Sequence, residues 1–196
     1  MKIVRKEAAA GVIDIVTLAF MTDPAARWLY PESDDYLANY PEFVRGFGGR
    51  AFEHGCADHL EGYGAAMWLP PGVQSDDAAL DTLLERTVPR HRLHALVEVL
   101  RQMGNYNPNE PHWHLAFLGV VPAHQYKGHG SALLKHGLAR CDENREPAYL
   151  ESTNPRNIPL YERYGFQVLG TIQVADSPPI VPMLRKPVGI AADDLT

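Results

Sequence analysis

Cysteine is scarce in this chain. Only Cys56 and Cys141 occur among 196 residues, at no spacing that suits a zinc site or a redox pair, which fits a reducing, cytoplasmic setting. A basic excess is also missing. With 18 Lys and Arg against 24 Asp and Glu, the net charge of −6 gives no electrostatic footprint for nucleic acid or an anionic membrane, and neither is expected as a partner. No apolar run is long enough to cross a bilayer. Residues 8–20 follow Lys2, Arg5 and Lys6 in the manner of a signal peptide, but Asp14 interrupts them and no small-residue cleavage site follows. Nine histidines form neither a zinc-finger nor an HExxH pattern, so no metal is expected. Repeats, low-complexity tracts and linkers are absent as well. With 45% hydrophobic content, the chain reads as one domain over 1–196 with a sizeable core.

What is present centres on residues 113–130. Residues 113–121 are nearly continuously apolar and stop at Pro122, as for a strand buried on both faces. Gln125, Lys127, Gly128, His129, Gly130 and Ser131 follow. After them Leu134, Leu138 and Cys141 recur at helical spacing beside Leu133 and Gly137, so a helix begins near Gly128. The first turn of a helix offers amides without internal partners at the positive end of the macrodipole. Two glycines let an anion approach the backbone closely, and Lys127 adds charge at the rim. The spacing fits neither common nucleotide loop. Gly130 is followed by Ser131 and Ala132 rather than Lys-Ser or Lys-Thr, and position 133 is Leu rather than glycine or alanine. An ordinary strand-loop-helix connection stays open as the alternative on the local pattern alone.

Elsewhere the pattern predicts a strand over 2–5, an amphipathic helix carrying Ile13, Val16 and Phe20, and a break at Thr22-Asp23-Pro24. Trp28 and Tyr30 fall in a loop, where they either line a pocket or cover the core. A glycine-bearing helix over 34–54 precedes a hairpin of strands 57–61 and 65–69. Two helices on either side of Pro89 follow, with Leu93, Leu96, Val97, Leu100 and Met103 facing the core and His91 and His94 facing solvent. Residues 104–111 read as a loop leading into the central strand. A strand over 147–153 pairs beside the central one. A short helix then has its N-cap near Asn157 and its C′ glycine at Gly165. Strands over 166–174 and 180–186 complete the reading, the last at an edge or bulged because of Pro182, with a frayed tail from Val188 onward.

Gln125-x-x-Gly128-x-Gly130 after Val120-Val121, with Asn154 seven residues before Tyr161 and then Tyr161-Glu162-Arg163-Tyr164-Gly165-Phe166, resembles the GNAT superfamily of acyl-CoA-dependent N-acyltransferases. The likeness to the puromycin N-acetyltransferase-like members runs further. It takes in Gly119-Val120, His124-Gln125, Leu150-Glu151, Pro155-Arg156-Asn157 and Met183-Leu184-Arg185-Lys186-Pro187. It is close over 111–187 and limited to element order before that.

The resemblance implies an α/β (α+β) fold with a mixed, mostly antiparallel sheet of six to seven strands, splayed central strands and helices on both faces. The implied cofactor is acetyl-CoA. Its pyrophosphate would lie on the amides of residues 125–131, with Asn154 and Asn157 on the cofactor, Val120 pairing with pantetheine and Leu118 N–H polarising the thioester carbonyl. Tyr161 would protonate the leaving thiolate. His114 stands where several relatives carry a glutamate base, eleven residues before Gln125. Glu151 is the rival base, and His112, Trp28 and Tyr30 are candidates for acceptor binding, with acceptor choice resting also on Trp68 and the loop before Trp113. The expected reaction is direct acetyl transfer to a small-molecule primary amine in a ternary complex, with a homodimer admitted as an assembly. The alternatives are a protein or peptide amine as acceptor and a non-catalytic acyl-CoA sensor.

Overall fold

The computed structural model describes residues 3–5, 9–60 and 62–189. In chain order the elements are β1 (Ile3–Arg5), α1 (Ala9–Ala19), α2 (Pro24–Leu29), α3 (Ser33–Gly48), α4 (Arg50–Glu53), β2 (Ala57–Leu60), β3 (Gly64–Leu69), α5 (Asp77–Thr87) and α6 (Arg90–Tyr106). Then come β4 (Trp113–Val120), α7 (His129–Asn144), β5 (Ala148–Ser152), α8 (Ile158–Arg163), β6 (Gln167–Val168) and β7 (Val181–Arg185). The strands form one sheet in the order β1-β2-β3-β4-β5-β7-β6. Every pair is antiparallel except β4 with β5, so the mixed, mostly antiparallel expectation holds.

Helices cover both faces, and β3 shows how. Successive side chains of a strand point to opposite faces. A Cβ on Gly137 of α7 would collide with Trp68, while one on Gly48 of α3 would meet Met67 and Phe117. Trp68 therefore faces α7 and Met67 faces α3. Gly46 has the same use, since a Cβ there would lie 2.9 Å from Leu80 of α5. These glycines serve close packing between layers. All six residues of β3 are buried. β4 is not covered to the same degree. Its odd-numbered residues are buried, whereas His114, Ala116, Leu118 and Val120 are half-buried. The expectation of burial on both faces fails there because those four residues line open clefts.

Several local readings are corrected. Asp23-Pro24 starts a helix rather than merely breaking one. The Asp23 carboxylate accepts from the amides of Ala25 and Ala26, and Pro24 occupies the first helical position, where no amide is needed. Trp28 thus lies in α2 rather than in a loop. Residues 104–106 belong to α6 rather than to the following loop, and Val97 on that helix is exposed. The expected strand over 166–174 shrinks to β6 and a single bridge between Ile172 and Ile180. β7 lies between β5 and β6, so Pro182 is not at an edge. Its carbonyl accepts from Leu169 N, and its missing N–H would face that same side, where β6 has already ended. Val188 is held by its amide, which donates to Asp142 Oδ1. Lys2, Lys6, Ala8, Glu61 and residues 190–196, included in the readings above, lie outside the described residues.

Candidate active site: three joined clefts

β4 and β5 pair only through Trp113 with Ala148 and His114 with Tyr149, then part. The opening is prepared by a bulge. Met67 pairs with Phe117 but Trp68 pairs with Leu115, which leaves Ala116 as an extra residue on β4. Before the bulge Trp113 N donates to Pro147 O on the β5 side, and after it Val121 N donates to Tyr63 O on the β3 side. The bulge has exchanged the two edges of β4. Because the hydrogen-bonding direction alternates along a strand, Leu118 and Val120 turn their N–H and C=O groups away from β3 and into the gap. Without Ala116 those groups would be spent on β3.

A cleft of about 440 Å³ fills the gap. Its lining includes Leu118, Val120 and Gln125 from the strand end and loop, Gly128, His129, Gly130 and Ser131 from the start of α7, and Asn154, Asn157 and Tyr161 opposite. Ten sequence-predicted residues are thereby brought together. Gly128 caps α7 at φ +83°, a left-handed conformation suited to glycine, and Ala132 N makes the first helical bond to Gly128 O. The amides of Gly130 and Ser131 precede that bond. Arg156 and Arg163 add two cationic side chains to the wall. Helix-start amides, open space beside the glycines and two guanidinium groups are a donor set that fits the pyrophosphate of coenzyme A.

Parts of the expected cradle are otherwise engaged. Gln125 N donates to Pro122 O at 3.3 Å, and Gln125 Nε2 donates to Val120 O at 3.1 Å, so this residue braces the loop. Lys127 Nζ donates to Ala123 O, and the residue is not part of the lining. Asn154 Oδ1 accepts from Arg156 N, capping the turn ahead of α8. Tyr63, outside the lining, stacks on two of its histidines, its ring 4.1 Å from that of His124 and 5.6 Å from that of His129. Partial desolvation, then Lys127 and His129, lower the pKa of the His124 imidazole.

Beyond Leu118 the cleft meets an apolar chamber of about 130 Å³. Phe20, Asp23, Leu118, Asn157 and Tyr161 line both. Tyr161 is buried, and desolvation, followed by the charge of Asp23, raises its phenol pKa well above the ordinary value. It therefore stays protonated at neutral pH. Burial likewise raises the Asp23 carboxyl, although Thr153 Oγ1 donates to its Oδ2 at 2.7 Å. Trp28 lines this chamber. Tyr30 instead points into the core, where its hydroxyl lies 2.9 Å from Thr87 Oγ1, and it lines none of the three clefts. Trp68, another residue on which acceptor choice was expected to rest, is fully buried against α7.

The third cleft, about 460 Å³, shares Phe43, Phe47, Leu84, Leu100, Met103 and Glu151 with the chamber and adds His112, His114, Asp77 and Asp81. The two rival bases are a bonded pair, with His114 Nε2 2.8 Å from Glu151 Oε2. Their side chains are 19% and 8% exposed, enough shielding to make the contact matter. Phe47 and Tyr149 hold the His114 ring from two sides. His112 Nδ1 lies 2.8 Å from Glu110 O. Among the described residues no group of three His, Cys, Asp or Glu could hold a metal. No helix among them is long and apolar enough to cross a membrane.

Asp23, Arg156 and Arg163 were missed as site residues. Asp-Pro as an N-cap and first helical position was the available signal for Asp23. Pro159 and Arg163, four apart on one helix face, were the signal for the arginine.

Comparison with known proteins agrees with this geometry. The profile of the family described as Acetyltransferase (GNAT) family matches residues 96–166, which span β4, the loop, α7, β5 and α8. An uncharacterised N-acetyltransferase of Schizosaccharomyces pombe is 26% identical over 93% of this chain and 79% of its own length. A crystal structure from Corynebacterium glutamicum, described as histone acetyltransferase HPA2 and related acetyltransferase, superposes with a TM-score of 0.66 at 26% identity, covering 97% of this chain and 98% of that one. Agmatine N-acetyltransferase shares the fold at 13% identity, with a TM-score of 0.60 over 95% of this chain and 100% of the other. With the parted strands and the helix-start cradle between them, these likenesses show a GNAT fold whose residues 96–166 carry the family's acetyltransferase profile, and they support an acetyl-CoA-dependent N-acetyltransferase.

Proposed function

We propose that the chain, acting as one catalytic domain, transfers an acetyl group directly to the primary amine of a small molecule. The observation that carries this reading is the chamber joining the two larger clefts. It has Tyr161 at its junction with the cofactor cleft and the His114–Glu151 pair at its junction with the outer one. Bound acetyl-CoA supplies a thioester whose C–S bond is exchanged for a C–N bond to the amine.

This chain's residues do the rest. Gly130 and Ser131 amides, with Arg156 and Arg163, bind the pyrophosphate. Val120 would hold the pantetheine arm through its backbone groups, and Leu118 N–H would serve as the oxyanion donor to the thioester. The His114–Glu151 pair takes a proton from the amine, Glu151 holding the ring and sharing the charge that forms. Tyr161 Oη delivers a proton to the departing sulfur, leaving a neutral thiol. For a neutral amine the proton count balances, one removed at nitrogen and one given at sulfur, with Tyr161 recovering its proton from solvent as the base pair releases one; an acceptor that arrives as an ammonium first gives up one further proton to solvent.

Asp77, Asp81 and Glu151 line the outer cleft with no Lys or Arg among its described lining residues, which favours a cationic amine as the acceptor. A protein amine is the second reading, favoured by the description of the Corynebacterium protein. The closer kinship to puromycin N-acetyltransferase-like members rests on the residue matches alone. Amine-dependent release of thiol from acetyl-CoA, screened over aminonucleosides, polyamines and amino acids, is the test. Tyr161→Phe should lower that rate by about 10²- to 10⁴-fold while acetyl-CoA still binds. Unchanged turnover would remove Tyr161 from the mechanism.

A further inference from the structure

The chamber between the clefts is larger and drier than a two-carbon acyl group needs. Away from its two junctions its wall is mostly apolar side chains such as Leu29, Leu96, Val99, Leu115, Phe117 and Ile180, all buried, with Trp28, Tyr40, Ser152 and Thr153 as the residues there that carry polar atoms. Its volume of about 130 Å³ approaches that of a cavity of roughly 150 Å³ that stays dry and binds benzene. An acetyl methyl leaves most of that space empty.

Two kinds of group could enter, and their physical chemistry separates them. The reacting nitrogen has to reach the thioester along the Glu151 side of the chamber as a neutral amine, because an ammonium held among these walls loses its hydration with little in return. The ammonium has a better site in the outer cleft, beside Asp77, Asp81 and Glu151. A hydrocarbon chain gains from the same walls, and the chamber opens beside Leu118 and Tyr161, the residues assigned above to the thioester end.

We infer that this apolar chamber is an acyl pocket, and that the protein binds and transfers straight acyl groups of about four to six carbons in preference to acetyl. The inference rests on the assignment of Leu118 and Tyr161 to the thioester end. The reaction keeps the same balance, with one C–N bond formed, one C–S bond broken and the proton from Tyr161 retained on the thiol.

The test is equilibrium binding of acetyl-, propionyl-, butyryl- and hexanoyl-CoA to the wild-type protein by calorimetry without any amine, so that it does not depend on finding the acceptor. Each added methylene should tighten binding about fourfold, making butyryl-CoA about fifteenfold tighter than acetyl-CoA. Val99→Phe narrows the chamber from α6 and should shrink that ratio to about twofold, by replacing empty space with ring. A flat series, or tighter binding of acetyl-CoA, in the wild type overturns the acyl pocket while leaving acetyl transfer standing. Absence of binding by every CoA thioester overturns the proposed function, and the pocket with it.

Discussion

The cofactor cleft offers backbone amides of β4 and of the start of α7, whereas the outer cleft is lined by side chains drawn from distant elements. In the first, Leu118, Val120, Gly130 and Ser131 present amides, and one strand-loop-helix-strand unit with the turn after it supplies most of the wall. In the second, Phe43 and Phe47 come from α3, Asp77 and Asp81 from α5, Leu100 and Met103 from α6 and His114 from β4. An amide wall constrains sequence only where a Cβ would intrude or a strand must bulge, and it binds the invariant part of a reaction. A wall of side chains from four distant elements can be altered one residue at a time without disturbing the fold, and it is the place for choosing an acceptor.

Breaking one end should leave the other intact. After Tyr161→Phe, the largest effect is expected from Glu151→Gln, which keeps the shape but removes the charge that supports His114. Turnover should fall by about 10²-fold or more, with acetyl-CoA affinity changed less than about twofold. Equal losses in both quantities would mean that the two ends are not separable. Gly128→Val acts at the other end. A β-branched residue at φ +83° is strained, so the cradle should distort and acetyl-CoA binding by calorimetry should weaken about tenfold, while the KM for the amine stays close to that of the wild type.

The smallest functional effect is expected at the clamp holding the far end of α7. Arg185 donates two hydrogen bonds to Asp142, at 2.8 and 2.9 Å, and Val188 N donates a third. Burial pushes the Asp142 carboxyl up, but these partners outweigh it and hold the pKa below the ordinary carboxylate value. The stability it contributes is therefore present above about pH 4 and is lost as pH falls through the depressed value. Asp142→Asn should cost about 1–3 kcal/mol in urea unfolding at pH 7, a difference that narrows toward pH 3. Cofactor affinity should be nearly unaffected.

The contrast between the ends also explains what could be read from residues alone. Gly128 and Gly130 were legible from the local strand-loop-helix pattern, Gly128 answering a positive φ, whereas Asn154 and Tyr161 were legible only through the resemblance to the GNAT superfamily. Residues two and four places apart lie together whatever the rest of the chain does. Ala116 was not legible, since a bulge in an apolar strand leaves no mark in composition, although it decides which edge Leu118 and Val120 face. Tyr30 and Trp68 looked like acceptor residues and are core residues, because burial is settled by which helix lands on them. His114 and Glu151 were read as alternatives, and only the two-residue pairing of β4 with β5 places them in contact. Asp77 and Asp81 carried no signal at all. They are ordinary exposed residues of a first helical turn and a half until Phe47 and Met103 close the cleft around them.

The central claim is that acetyl-CoA lies in the gap opened by the bulge and is held by amides on both sides of it. Hydrogen exchange with and without acetyl-CoA tests this most directly. Slowed exchange at Leu118, Val120, Gly130 and Ser131, with α3 and α5 unchanged, is the expected result. Protection confined to α3, α5 and the outer cleft, with those four amides exchanging as before, would contradict it.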